Sequence, residues 1–271
     1  MKVLKIKERT EITRVAYKND VFMVVDNNNY RSIIAKKSIP KDTLLILEEG
    51  MEFILPRISN LNNMSPSKYS NFETQIEVII GSPKLLFELY PRDNENDILL
   101  SVKNKLDDNC FFVHKEGGVS SSFISSVCSS FNHNCNCNCG YRITCKKEFS
   151  FISIYTIKDI NKGEELLIDY GENIHSPNSK FKCNCGLDET QRRELRIHNL
   201  YKFYDYDNQF NFGLDKKKIN KDFIETCKLK NIDTTLENKI IENYITKNLM
   251  PLNKVHKYYL DMLNSSFKMS K

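Results

Sequence analysis

The sequence contains no tryptophan, and glycine and proline are scarce, 9 and 7 in 271 residues. A chain this poor in Gly and Pro is neither a fibrous repeat nor a low-complexity linker. No apolar run reaches the roughly 18–20 residues that a helix needs to span a bilayer. The opening Met1-Lys2-Val3-Leu4-Lys5-Ile6-Lys7 alternates charge with apolar residues and lacks a signal-peptide core. These absences predict an intracellular protein, cytoplasmic or nuclear, with no membrane partner. Hydrophobic residues make up 40% and charged residues 28%, so the chain can bury a core without disulfide staples.

The charge balance is 40 basic against 35 acidic residues, a net of +5. Residues 191–271 hold 16 basic and 10 acidic side chains, a net of +6, which leaves −1 for the first 190. The excess lies in the tail, but its lysines are scattered and make no dense basic patch. Nucleic acid is therefore not expected as a direct ligand.

Cysteine is plentiful, with 9 residues unevenly placed. Cys135, Cys137 and Cys139 lie within five residues, and Cys183 and Cys185 form a second tight pair. In a reducing compartment such clusters point to metal before disulfide. Cys110, Cys128, Cys145 and Cys227 are isolated and read as small buried hydrophobes.

Residues 1–48 read as strands. Val21 to Val25 is an apolar run closed by the turn residues Asp26-Asn27-Asn28-Asn29. Arg31 to Ile39 then leads through Pro40-Lys41-Asp42 into Thr43 to Leu47, which predicts a hairpin. The phrase Lys37-Ser38-Ile39-Pro40-Lys41-Asp42, followed by Leu44-Leu45-Ile46, returns as Lys158-Asp159-Ile160-Asn161-Lys162-Gly163, followed by Leu166-Leu167-Ile168. The echo predicts two hairpins of similar design in a β-rich core built from two blocks. Between the blocks, residues 60–71 should be loop, and 74–80, 83–89 and 97–106 look helical. In the tail, Thr234-Thr235-Leu236-Glu237 predicts a capping box opening a helix with Ile240, Ile241, Tyr244 and Ile245 on one face. Met250-Pro251 should end it, and Val255, Tyr259, Met262 and Leu263 mark a final amphipathic helix.

The informative stretch is Phe131-Asn132-His133-Asn134-Cys135-Asn136-Cys137-Asn138-Cys139. Downstream come Gly163-Glu164-Glu165-Leu166-Leu167-Ile168-Asp169-Tyr170-Gly171 and then Phe181-Lys182-Cys183-Asn184-Cys185-Gly186. Singly, each has an ordinary reading: an Asn-His turn, a hairpin corner, a half-buried strand tyrosine, an accidental Cys-x-Cys. Their joint occurrence in this order resembles the SET-domain family of protein lysine methyltransferases. The family's Asn-His-Ser-Cys-x-Pro-Asn-Cys motif matches residues 132–139, with Asn134 in place of serine and Cys137 in place of proline. Its Gly-Glu-Glu-Leu-x-x-Asp-Tyr-Gly motif is complete at 163–171, and its post-SET Cys-x-Cys matches Cys183 and Cys185. Ala35 to Glu49 resembles the family's first hairpin. Asn109-Cys110-Phe111 and Ser129-Ser130-Phe131 look most like the SET-and-MYND branch, although residues 60–126 carry no MYND zinc finger.

The resemblance implies that S-adenosylmethionine gives its sulfonium methyl to a lysine ε-amine by in-line displacement. The leaving group is already activated by its charge, so such a site supplies alignment and a neutral amine. A lysine entering an apolar channel beside a sulfonium loses solvation and meets a like charge, and both effects favour the free amine. By resemblance, Tyr170 is the catalytic tyrosine at the transfer point. Asn132 and His133 bind the cofactor, Phe181 covers its adenine, and Phe111 walls the lysine channel, where aromatic faces suit a methylammonium. Plain core packing is the alternative for both phenylalanines. The family's Gly-x-Gly falls at Tyr30-Arg31-Ser32, so Arg31 and Ser32 stand at the cofactor edge without glycine's freedom, and backbone strain is expected there.

The resemblance also implies a structural zinc held by Cys135, Cys183 and Cys185. The family's fourth cysteine is missing: the candidate positions hold Asp188 or Thr190, and Cys137 or His198 could substitute. Structural zinc almost always has four ligands.

The expected fold is α+β: small curved β-sheets, a helical insert, a pseudoknot-like threaded C-terminal segment that sets Asn132 near Tyr170, and a helical appendage. The expected parts are an N-terminal half (1–58), a helical and loop insert (59–126), a C-terminal half (127–173), a post-SET segment (174–190) and a helical tail (191–271) flanking the peptide cleft. The expected function is a monomeric S-adenosylmethionine-dependent protein-lysine N-methyltransferase acting on a histone tail or another basic protein segment. The rivals are a catalytically degenerate module that binds peptide or protein, and a zinc-stabilised scaffold whose tail contacts nucleic acid.

Overall fold

The computed structural model describes residues 14–26, 31–53, 108–114, 120–175, 181, 183–192, 194–195, 233–248 and 251. The helices expected at 74–80, 83–89 and 97–106, and the final helix near Val255, lie outside these residues. In chain order the strands are β1 (Arg14–Lys18), β2 (Phe22–Asp26), β3 (Arg31–Ala35), β4 (Leu44–Glu49), β5 (Met51–Phe53), β6 (Phe111–His114), β7 (Ser120–Ile124), β8 (Asn132–His133), β9 (Cys139–Lys146), β10 (Phe149–Thr156) and β11 (Leu167–Ile168). Helix α1 is Thr235–Lys247.

Two strands, β4 and β10, are buried along their whole length. They pair with each other at the centre of a four-stranded sheet ordered β1-β4-β10-β9. The apolar residues Leu44 to Leu47 of β4, and Phe149, Phe151, Ile152, Ile154 and Tyr155 of β10, need cover on both faces. On one face Leu45, Ile152 and Ile154 meet Ile33 of β3, Phe123 of β7 and Phe131 in the main core. On the other, Leu47, Phe149 and Phe151 meet Ile241 of α1, with Ile240, Tyr244 and Ile245 packed around them. The tail helix thus covers the back of the central sheet. Burying residues of this size is worth about 1.5–3 kcal/mol each, so the sheet and α1 stabilise one another.

The capping box does not form at the start of α1. Thr234 makes no side-chain cap, and the Asp233 carboxylate accepts the Thr235 N–H at 2.8 Å instead. Glu237 points into the core, where its carboxylate accepts hydrogen bonds from the hydroxyls of Tyr155 and Thr144. Burial and that carboxylate push the Tyr155 phenol well above its ordinary pKa. Tyr244 donates to Glu49 at 2.7 Å, and burial followed by Glu49 raises its phenol likewise.

The sequence echo is real, but its two halves are not hairpins. Strand β3 pairs with β2, and β4 pairs with β1 and β10, so the Pro40-Lys41-Asp42 turn carries the chain from one sheet to another. The second phrase does the same between β10 and β11. The two turns face each other: Ile39 N donates to Ile160 O at 2.8 Å and Ile160 N to Ile39 O at 2.9 Å. At matching positions Asp42 and Gly163 adopt φ of +62° and +88°. An all-buried strand such as β4 needs neighbours on both edges, and a local hairpin with β3 would supply one. Past Gly163, Glu164, Glu165 and Leu166 run beside β3, with Leu166 N donating to Ile33 O at 2.8 Å.

The end of the expected helical insert is strand. β6 and β7 pair with each other, and β7 pairs with β5, in a third sheet. The aromatic and β-branched Phe111-Phe112-Val113 suits a pleated surface better than a helix. Gly50 lets the chain step from β4 to β5, since a Cβ there would lie 2.3 Å from Ile124 O and 2.4 Å from Phe123 Cζ. Of the isolated cysteines, Cys128 is buried and Cys110 half-buried, while Cys145 is exposed on β9 and Cys227 lies outside the described residues. No helix among the described residues is long and apolar enough to cross a membrane.

Candidate active site

The two halves of the motif region meet in a short parallel pair. Leu167 of β11 sits opposite Asn132 of β8, and Ile168 opposite His133. Asn134 N donates to Ile168 O at 3.0 Å. Asn138 adds two stitches: its Oδ1 accepts the Leu167 N–H, and its Nδ2 donates to Glu165 O, both at 2.8 Å. Within the cysteine motif nothing in the sequence marks Asn138 out; an amide with both a donor and an acceptor is what a crossing of two backbones needs.

Asn132 ties this crossing to β3. Its Nδ2 donates to Arg31 O at 2.6 Å and to Glu165 Oε1 at 2.7 Å. Arg31 and Ser32 are extended and absent from the positive-φ residues among those described. The backbone strain expected from the missing glycines is therefore not there. The Arg31 guanidinium reaches Ser130 Oγ at 3.3 Å, and Ser32 is buried.

His133 is enclosed, with a side chain 1% exposed. Its Nδ1 accepts the Tyr170 N–H at 3.0 Å, while Asp169 Oδ1 stands 3.8 Å away. Tyr170 donates its hydroxyl to Phe131 O at 2.7 Å. The ring of Tyr170 lies 5.2 Å from His133 and 5.9 Å from Phe181, and Phe181 meets His133 edge-on at 5.7 Å. Tyr170 and Phe181 remain 39% and 42% exposed. The site therefore offers an open aromatic wall backed by a buried imidazole. Phe111 is buried in the same core cluster as Phe131 and meets Tyr141 edge to face at 4.9 Å. Tyr141 went unnoticed in the sequence, where a lone tyrosine after a cysteine motif has no distinguishing pattern.

The loop that delivers Asn132 is held by a buried carboxylate. Glu48 accepts backbone N–H bonds from Ser126 (2.9 Å), Val127 (3.1 Å) and Cys128 (3.0 Å), just ahead of the 3-10 turn Cys128–Ser130. Nothing in the local sequence marks this glutamate.

Beside His133 lies a cluster of thiols and imidazoles. Cys135 Sγ is 3.7 Å from Cys183 Sγ, 3.1 Å from His175 Nε2 and 3.3 Å from His133 Nε2. One donor atom from each of these four residues lies within 4.8 Å of all the others. Burial, then the neighbouring thiols of Cys185 and Cys183, raises the Cys135 pKa far above its ordinary value. For Cys185 burial acts upward too, but the Leu187 N–H, the Cys135 and Cys183 thiols and Arg192 outweigh it and lower the pKa. Soft sulfur with imidazole nitrogen is the donor chemistry of zinc, and the residues present fit that ion. Two candidates for the fourth position stand elsewhere. Asp188 exchanges hydrogen bonds with Gln191, accepting its N–H at 2.8 Å and donating its own at 3.1 Å, which caps a helical turn. Cys137 is buried with Leu44, Tyr155 and Ile157. Thr190 is exposed, and His198 lies outside the described residues.

A sequence profile of the SET domain matches residues 30–171. A SET domain-containing protein of Acanthamoeba polyphaga mimivirus is 26% identical over 196 residues, covering 67% of this chain and 55% of that protein. The chain thus spans about half the length of that relative. Among solved structures, a Plasmodium falciparum protein assigned as a histone methyltransferase superposes over 57% of this chain and 96% of that one, at 11% identity and a TM-score of 0.32.

Proposed function

This chain belongs to the SET-domain family, and we propose that it is an S-adenosylmethionine-dependent protein-lysine N-methyltransferase acting on a histone tail or another basic protein segment. The observation that carries the reading is Tyr170. Its hydroxyl is anchored on the Phe131 carbonyl, its amide on His133, and its ring stands half-exposed beside Phe181. When bound, S-adenosylmethionine supplies a methyl already activated by the sulfonium charge. The exposed faces of Tyr170 and Phe181, with the His133 edge, suit a flat heterocycle, and the Arg31 guanidinium beside Asn132 suits a carboxylate.

In this reading the chain's residues work by position. Tyr170 orients the incoming amine through its fixed hydroxyl. Phe111 and Tyr141 wall the route from the protein surface, where loss of water favours the neutral lysine. Asn132 and Asn138 hold the two strands in register, so that amine and methyl meet at near-attack distance. Cys135, Cys183 and Cys185 hold a structural zinc that keeps Phe181 in place. Asn109-Cys110-Phe111 and Ser129-Ser130-Phe131 support placement nearest the SET-and-MYND branch.

The test is transfer of labelled methyl from S-adenosylmethionine to histones and to lysate protein, by wild type and by Tyr170→Phe. Wild type should label lysine, and the variant should be slower by about 10²-fold, the scale of one lost positioned hydrogen-bond group. A wild-type chain that binds peptide but labels nothing would establish the non-catalytic alternative.

A further inference from the structure

The cluster beside His133 contains two imidazoles, each with its Nε2 close to the Cys135 sulfur. Resting on the zinc reading above, we propose that this chain completes its site with His175, giving Cys135, Cys183, Cys185 and His175, while His133 stays outside as a hydrogen-bond donor to the Cys135 sulfur.

At the family spacing after the Cys-x-Cys stand Asp188 and Thr190 in place of a cysteine; Asp188 caps a helical turn, Thr190 is exposed and Cys137 is packed in an apolar cluster. His175 Nε2 lies 3.1 Å from Cys135 Sγ, and Cys183 Sγ lies 3.7 Å from it. Tetrahedral zinc, with bonds of about 2.3 Å to sulfur and 2.0–2.1 Å to nitrogen, separates two sulfurs by about 3.7 Å and sulfur from nitrogen by about 3.5 Å. Cys135, Cys183 and His175 belong to one set of donor atoms that, with His133, all lie within 4.8 Å of one another; Cys185 joins them through the zinc reading, two residues beyond Cys183.

His133 is as near as His175, 3.3 Å from Cys135 Sγ, but its hydrogen bonding differs. The Tyr170 N–H points at His133 Nδ1, so that nitrogen presents its lone pair and the ring proton sits on Nε2. A protonated Nε2 cannot ligate, but it can donate to a thiolate. The result is a short path from metal to active site: Cys135 sulfur, His133 Nε2–H, His133 Nδ1 and the backbone N–H of Tyr170. His175 lies on the 3-10 turn Glu172–His175 just beyond the Asp-Tyr-Gly motif. One ion would thereby fix Tyr170 through both His133 and its own downstream chain, and Phe181 through Cys183.

Sequence reasoning missed His175 because it follows no ligand spacing: it stands between the two motifs and belongs to neither. Only the turn after Gly171, with φ of +94°, brings it back toward Cys135.

The test uses the full chain, measuring zinc content after purification and the visible spectrum after exchange to cobalt(II). Wild type should hold one metal per chain with the spectrum of three sulfurs and one nitrogen. His133→Ala removes an outer partner and should weaken metal binding by roughly 10–100-fold, whereas His175→Ala should exceed about 100-fold. His175→Cys guards against simple misfolding. It should retain the metal, with sulfur-to-cobalt absorbance up by about one third as three thiolates become four. The inference is overturned if His175→Ala keeps wild-type affinity and spectrum, or if His133→Ala proves the more damaging. Wild type without zinc and unable to bind cobalt would instead overturn the zinc reading itself, and this inference with it.

Discussion

Replacing Glu48 tests how the loop ahead of Asn132 is built. Its side chain is fully buried, and its two oxygens take three consecutive N–H groups at 2.9–3.1 Å. Hydrogen bonds to a charged acceptor contribute about 1.5–3 kcal/mol each, and a buried donor left unsatisfied costs about 1–3 kcal/mol. Glu48→Gln keeps one oxygen but sets an NH₂ against at least one of the three N–H groups. The expected loss is about 3 kcal/mol, rising to about 5 kcal/mol for Glu48→Ala, which abandons all three donors. At roughly 2–4 °C per kcal/mol for a chain of this size class, Tm should fall by about 6–12 °C for Gln. Urea unfolding should show the same loss with an unchanged m value. The loop also presents Phe131 O and Asn132, so under the proposed function the affinity for S-adenosylmethionine should fall along with stability. A Gln variant within about 0.5 kcal/mol of wild type, the range of ordinary surface changes, would refute the reasoning.

Other consequences follow from buried groups. Tyr155 and Tyr244 have phenol pKa values raised in the folded chain, by burial first and then by Glu237 and Glu49. Their stabilisation is complete below the unfolded tyrosine pKa of about 10 and is lost as pH rises beyond it, because the unfolded chain ionises first. Urea midpoints should therefore drop above about pH 10, and less so in a Tyr155→Phe, Tyr244→Phe double variant. An equal drop in that variant would assign the alkaline loss to other groups. Gly50→Ala should cost about 3 kcal/mol, near the top of the range for overpacking, since the new methyl meets the backbone oxygen of Ile124. A calorimetric Tm within 2–3 °C of wild type would mean that the β4–β5 step relaxes easily.

What the sequence made legible was chemistry at fixed spacing. Asn132, His133 and Tyr170 were singled out from motifs, and the fold brings them together across one parallel crossing. The echo of 37–42 in 158–163 is visible because both corners end on a residue at positive φ, Asp42 and Gly163. The two corners change sheets where the echo predicts hairpins, because local sequence does not distinguish the two kinds of turn. The β9–β10 turn was hidden for another reason: Lys147 and Glu148 take φ of +49° and +70° without the Asn-Gly signal that usually marks such turns. The missing Gly-x-Gly predicted strain, yet Arg31 and Ser32 sit comfortably in β3. Glu48 and His175 act through contacts made only after folding, and no periodicity or spacing announces either.

The most direct measurement of the central claim is a calorimetric titration of the full chain with S-adenosylmethionine. The account predicts one molecule bound per chain, with affinity about 10-fold weaker in Phe181→Ala, where one aromatic face of the wall is lost. A wild-type chain that gives no binding heat, and no rise in Tm at millimolar cofactor, would contradict it.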